Sequence, residues 1–554
     1  LQGHAFLQRS SASNVQKQRS FKRALGTGSG LVLAKGWHAP PAAASCVVPA
    51  LLYFASQPVD LRYRILKKRS LLFCALAALV TAGVLAGCGN NYYFAGRVLP
   101  PSGIANRVLI AVQNPSALSK GALAFVDAYY DIRQSYNDKI PSFSISGYSG
   151  ALPATIQNMP EERVGAVYGS GDGSYTLINY AKESTSGAVA TLSGLSSSVF
   201  VSRSRDFVVA ASQQAHVLTV VDNVGGKSYG LSLPGVYHVS LNPGGSVAMA
   251  FVENSNYAYF PRKLTSADQT TLAAYYLANT AWPAPYVDCE PKNLPGMCLA
   301  QVQDPSTNKP LNFDRPVKAV FSADGSTAFI LNCGPECGGT ASSVSYLATG
   351  PLNITDGQQT GSLPTQAALT TATIAVPGGA SNAIEATGGT DQVDTLYVLG
   401  QGSTTGTLAN GQLFSGFLTP VNISAKTAGA PISVSDSSPG QRTRMILADD
   451  NTLWLGGIRC TQGERYATSQ AYGCLTMFNL ANNSVTMIEP YQGDLTGLAA
   501  VTGLHKLYIA EGGQVYIYST VDGSAINNFY VTVTGTAYDV AYMDAISDAD
   551  NTVY

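Results

Sequence analysis

Six of the nine cysteines stand in close pairs: Cys289 with Cys298, Cys333 with Cys337, and Cys460 with Cys474. Thiols this close either hold a metal or oxidise to local disulfides. The spacings miss the Cys-x2-Cys pattern of zinc sites, and Cys333-Gly-Pro-Glu-Cys337 has one residue too many for a redox Cys-x2-Cys. We therefore expect three sequence-local bridges, each pinning a loop at about 2 to 3 kcal/mol. Past residue 88 the histidines are His216, His238 and His505, each on or beside an expected strand and without a nearby nucleophile motif. They read as core or strand-face residues. The adjacent carboxylates Glu161-Glu162 and Asp449-Asp450 fall in expected turns, where solvation is the ordinary fate. Asp544, Asp548 and Asp550 could offer oxygens to calcium but lack the glycine and closing glutamate of a calcium loop. No triad, metal set or phosphate loop is visible, so the sequence assigns no catalytic residue, no metal and no cofactor.

The elements that would position these residues are short strands. Pro316 to Cys333, PVKAVFSADGSTAFILNC, reads as an apolar-alternating strand carrying Val317, Ala319 and Phe321, then a tight turn at Asp324-Gly325, then a second strand. Variants recur along most of the chain. Three strands lie between Arg107 and Tyr148, four-strand units follow from Ala154, Ser198, Val236 and Pro316, and three more begin near Asn382, Gln441 and Asp494. AYDVAYMD near the C-terminus supplies a further first strand, complementing the three at the N-terminus. That is how a ring of blades is closed without leaving sheet edges open. With charged residues at 12%, and with Gly, Ser, Thr and Tyr abundant, the class is all-β.

The phrase "strand, S-x-D-G-S, apolar strand, loop, strand", best seen in FSADGSTAFILN, resembles the YVTN-type repeat of lactonase-like and NHL-like β-propellers. The resemblance implies a β-propeller of four-stranded blades, seven or eight, with the count favouring eight. It covers residues 106–554 and speaks for fold, not function. No Arg, His and Glu set can be matched to the lactonase-like group residue by residue. The insertion 263–314 departs from the repeat: Ser266-Ala-Asp-Gln269 has capping-box spacing and opens a helical stretch to about Asn279, expected to be a lid or packing flap.

The net charge of −1 conceals two regions of opposite sign. Up to Gly87 there are eleven Lys and Arg against one acid, Asp60, which leaves 22 basic and 33 acidic residues beyond. An acidic remainder without basic runs disfavours nucleic acid as a partner. Residues 1–61 show no sustained period, and no Met precedes Met159; we expect a non-native or disordered extension. Residues 62–87 place basic residues before an uncharged run, the order of a secretory signal peptide. The run ends Leu85-Ala86-Gly87-Cys88, which resembles the lipobox of bacterial lipoproteins. That resemblance implies acylation of Cys88, a membrane partner through the lipid, a tether over 88–105, and a place in the cell envelope, at the outer membrane.

The function expected is a lipid-anchored binding scaffold for a protein or glycan. The loops between second and third strands are long at Cys333–Thr340, Gly400–Leu413 and Cys460–Gly473, and share one face, with Tyr466 and Tyr472 as candidate contacts. The alternatives are a lactonase-like hydrolase on the same fold and a structural component of an outer-membrane complex. A quinoprotein is disfavoured, since past residue 88 only Trp282 and Trp454 are available to dock blades.

Overall fold

The computed structural model describes residues 99–546 except 130–142, 160–161, 305, 356–371, 389–392, 409–410, 435–440, 459–474, 489–492, 527–530 and 532. Eight antiparallel sheets follow one another in a ring, an eight-bladed β-propeller. The innermost strands of blades 2 to 8 are Pro153–Met159, Ser198–Val201, Val236–Leu241, Pro316–Phe321, Asn382–Gly388, Gln441–Ala448 and Leu495–Val501. Blade 1 is split. Its inner strand, Thr536–Tyr542, pairs with Arg107–Gln113, which is followed outward by Gly121–Asp127 and Phe143–Ser144.

Second strands such as Phe207–Ser212 and Lys506–Glu511 are buried at every position. Both their faces pack on neighbouring blades, which is why they read as continuous apolar runs rather than alternating ones. Eight hydrophobic clusters result, one at each junction between adjacent blades, the split blade included. At the closure Arg107, 3% exposed, donates from its backbone N–H and Nε to Asp544 and pairs with that carboxylate at 2.7 Å, while Nη1 reaches Glu183 of blade 2 at 3.0 Å. Asp544 is thus an arginine partner, not a free ligand for calcium.

The recurring turn between first and second strands has one mechanism in three blades. The side chain of Ser202, Asn242 or Ser322 accepts from the N–H five residues on, at Phe207, Val247 or Thr327. The third residue after it, Arg205, Gly245 or Gly325, sits at positive φ. In blade 5 Asp324 adds bonds from Ser322 Oγ and from the N–H of Ser326, 2.6 and 3.0 Å long. This is the physical content of the S-x-D-G-S phrase.

Blade 4 carries the insertion on its outer edge. Helix α1, Ser266–Leu277, is capped by Thr265, whose Oγ1 accepts from the N–H of Asp268. The cap is therefore one residue earlier than Ser266. Met297–Gln301 and Tyr286–Glu290 then extend the sheet to five strands, and Leu272 of α1 enters the core between blades 4 and 5. The insertion thickens the blade at its rim rather than covering the ring. Gly400–Leu413 also departs from expectation: it is not a loop, because Val393–Leu408 and Gly411–Asn422 run on as one long hairpin.

Candidate functional site

Propeller inner strands turn one edge toward the axis, so their outward N–H groups need partners. Here the neighbouring blade supplies them. Ile156 N–H donates to Asp539 Oδ2 at 2.7 Å, Val201 to Gln157 Oε1 at 2.7 Å, Val239 to Ser198 Oγ at 3.2 Å and Ala319 to Ser240 Oγ at 3.1 Å. Four consecutive junctions, from blade 1 to blade 5, are laced this way around the channel.

In six of the eight inner strands the pairing slips by one residue near the start, a β-bulge. The residue that resumes the pairing is Thr155, His238, Lys318, Arg444, Gly497 or Asp539. A bulge re-aims the side chains beside it, which is why bulges collect near functional sites. In blade 5 it also breaks the alternation read from sequence: Ala319 enters the core while Val317 and Phe321 are only partly buried. At Gly497 a Cβ would strike the Asp539 side chain, so the smallest residue stands where the neighbouring carboxylate needs room.

A cavity of about 1060 Å³ occupies the axis, with wall residues from seven of the eight blades. His238, Lys318 and Arg444 all border it. Lys318, 6% exposed, donates from Nζ to Asn382 Oδ1 at 2.7 Å and has no carboxylate partner among the described residues. Burial, aided by the Arg444 charge, pushes its ammonium down to about 7. The His238 ring lies among the rings of Phe200, Tyr237 and Phe251, with centroids 6.2 to 6.3 Å away, and its Nε2 is buried without a hydrogen-bond partner among the described residues. Burial first, then Lys318 and Arg444, hold it down to about 3, so the imidazole is neutral at physiological pH.

Glu336 reaches the same cavity from the second-to-third-strand loop of blade 5. Its Oε2 accepts from the N–H of Gln401 in blade 6 at 3.0 Å, and burial pushes its carboxyl up to about 7. The loop that carries it is pinned by the Cys333–Cys337 disulfide, while Cys289–Cys298 staples the two outermost strands of blade 4. These are two of the three expected bridges; Cys460 and Cys474 lie outside the described residues, as do Cys88, Tyr466 and Tyr472.

Of the remaining sequence candidates, His216 and His505 sit at turns with positive φ. His505 Nδ1 lies 2.9 Å from Asp450 Oδ2, and Asp449 Oδ2 accepts from the N–H groups of Gly503 and His505, so these carboxylates tie blade 7 to blade 8. Among the described residues no group of three or more His, Cys, Asp or Glu is placed to hold a metal. Lys318, Arg444 and Glu336 were not singled out in the sequence. The signal available was a polar residue early in an apolar first strand, in VYHVSL, PVKAVF and QRTRMILA.

Fold and site together define an eight-bladed β-propeller with a cation-bearing axial cavity. No family model matches the chain, and no curated protein sequence does. Among solved structures it is similar to dihydro-heme d1 dehydrogenase NirN, at 10% identity and TM-score 0.46 over 80% of this chain and 79% of that one. It is similar also to AztD of Citrobacter koseri in its apo form, at 10% identity and TM-score 0.42 over 79% and 97%. The periplasmic gluconolactonase PpgL of Pseudomonas aeruginosa is similar at 13% identity and TM-score 0.35 over 79% and 98%. At these identities the likeness concerns the propeller alone.

Proposed function

We propose that this chain is a lipid-anchored, extracytoplasmic binding propeller that takes a glycan at the mouth of its axial cavity. The observation that carries the reading is the cavity itself. Its size is at the upper end for ligand sites, and its wall mixes rings, hydroxyls and amides from Tyr237, Phe200, Ser240 and Gln157. A recess of this kind suits a saccharide unit better than the broad contact surface a protein partner needs. The disulfide-pinned loop at Glu336 adds a stiff rim, which lowers the ordering cost of binding. Disulfides in a chain of this size also agree with an exported location.

Immobilised full-length protein, offered a panel of envelope and extracellular polysaccharide fragments, should retain a subset. Replacing Arg465–Tyr472 by a Gly-Ser linker should leave folding intact and reduce retention. Retention of a protein from envelope extracts with no glycan retained would replace the glycan reading by the scaffold one.

A second reading rests on Glu336 and Lys318. Two titratable groups drawn toward neutrality from opposite sides, in one cavity, are suited to general acid and base work. Hydrolysis of a lactone by the full-length protein, lost in Glu336→Gln, would favour it.

A further inference from the structure

Among the described residues the axial cavity gathers basic side chains from several blades. Among the described residues its wall carries Arg203, Arg315, Lys318 and Arg444 together with two carboxylates, Glu253 and Glu336. Glu253 is engaged by Gln213 Nε2 at 2.7 Å and Glu336 by the N–H of Gln401. Asp539, the acid at the equivalent inner-strand position of blade 1, is fully buried and accepts from the N–H groups of Ile156 and Val540. None of these carboxylates reaches Lys318, which among the described residues hydrogen-bonds the neutral amide of Asn382. Beside it the buried Nε2 of His238 has no hydrogen-bond partner among the described residues.

Burying an ammonium against a neutral amide is costly when no counter-charge accompanies it, and three blades contribute a basic side chain to the same wall. From this geometry we infer that the cavity binds an anionic group, the carboxylate of an acidic sugar, between Lys318, Arg444 and His238. Lys318 supplies the charge, Arg444 a planar fork suited to a carboxylate, and His238 a neutral ring whose tautomer can present Nε2–H as a donor. The aromatic rings of Tyr237 and Phe200 stand beside these groups to meet the apolar face of a pyranose. The inference rests on the glycan reading for the sugar, but not for the anion.

Titration calorimetry on the full-length protein at low salt, with galacturonate, galactose and inorganic phosphate as probes, separates the two. Galacturonate should bind, and galactose, which lacks only the acid, should bind at least about tenfold more weakly, a difference of about 1.4 kcal/mol. Lys318→Met and Arg444→Gln should each lower galacturonate affinity by about tenfold or more and bring the ratio of galacturonate to galactose affinity toward one; two variants are used because either alone could fail to fold. Phosphate binding as well as galacturonate, and in competition with it, would keep the anion site and remove the sugar. Galactose equal to galacturonate in the parent would remove the anion site and keep the glycan reading. Failure of both anions to bind, or binding unaltered in the folded variants, overturns the inference.

Discussion

Lys318 and Asn382 join blades 5 and 6 through a 2.7 Å hydrogen bond from Nζ to Oδ1 in the wall of the axial cavity. The pair leaves a cation inside the protein with no compensating charge among the described residues, and stability should record it. The charged and imidazole groups that line the cavity with Lys318 are Arg203, His238, Glu253, Arg315, Glu336 and Arg444, and the Arg444 charge acts on the Lys318 ammonium. With its folded pKa near 7, below that of an exposed lysine, the unfolded chain holds the extra proton between pH 7 and about 10. Stability contributed at this site therefore rises as pH increases through that window. Urea unfolding at pH 7 and pH 9 should show Lys318→Met more stable relative to the parent at pH 7 than at pH 9, by up to about 2 kcal/mol. An equal difference at both values would place an undetected anion beside Lys318 in the unliganded protein.

Ring closure depends on Arg107. Replacing it by Met leaves Glu183 and Asp544 without their cation, and loss of one partner of a buried pair costs about 3 to 5 kcal/mol. The denaturation midpoint should fall accordingly, with part of the loss recovered in Arg107→Met with Glu183→Gln. A fall under about 1 kcal/mol would mean that the clasp is solvated in solution.

The Cys333–Cys337 bridge closes a very short loop, so the chain-entropy account assigns it about 2 kcal/mol. Its larger effect should be on Glu336. The double replacement Cys333→Ser, Cys337→Ser should weaken ligand retention more than it lowers the melting temperature would explain, read by retention well below the transition. Full retention would show that the rim needs no pinning.

Cys88 should be the acylated N-terminus of the mature protein. Growth with an alkyne fatty acid should label the parent and leave Cys88→Ser unlabelled; label retained by the variant would refute lipidation.

The blades were legible because each rests on local chemistry. Ser322, Asp324 and Gly325 make their turn with bonds inside a few residues, and the apolar second strands announce burial on both faces. Even the split blade could be read, since AYDVAYMD and RVLIAVQ are each a recognisable strand. The site was hidden because it arises from register. His238 looks like any strand histidine until a bulge at Tyr237 and the closure of the ring bring it beside Lys318 and Arg444, about 80 and 206 positions on in the chain. The same slip at Val317 spoiled the simple alternation expected of blade 5. The hairpin at Gly400–Leu413 reads as a loop in sequence because its Gly, Ser and Thr residues pair through backbone, which composition does not reveal.

The axial cavity should attract an anion. A crystal structure of the protein soaked in bromide, read from the anomalous signal, tests it with no assumption about the natural ligand. A bromide peak is expected in the cavity within contact of Lys318 Nζ and beside Arg444, displaced when galacturonate is added. Bromide confined to exterior lysines and arginines, with the cavity holding none, would contradict it.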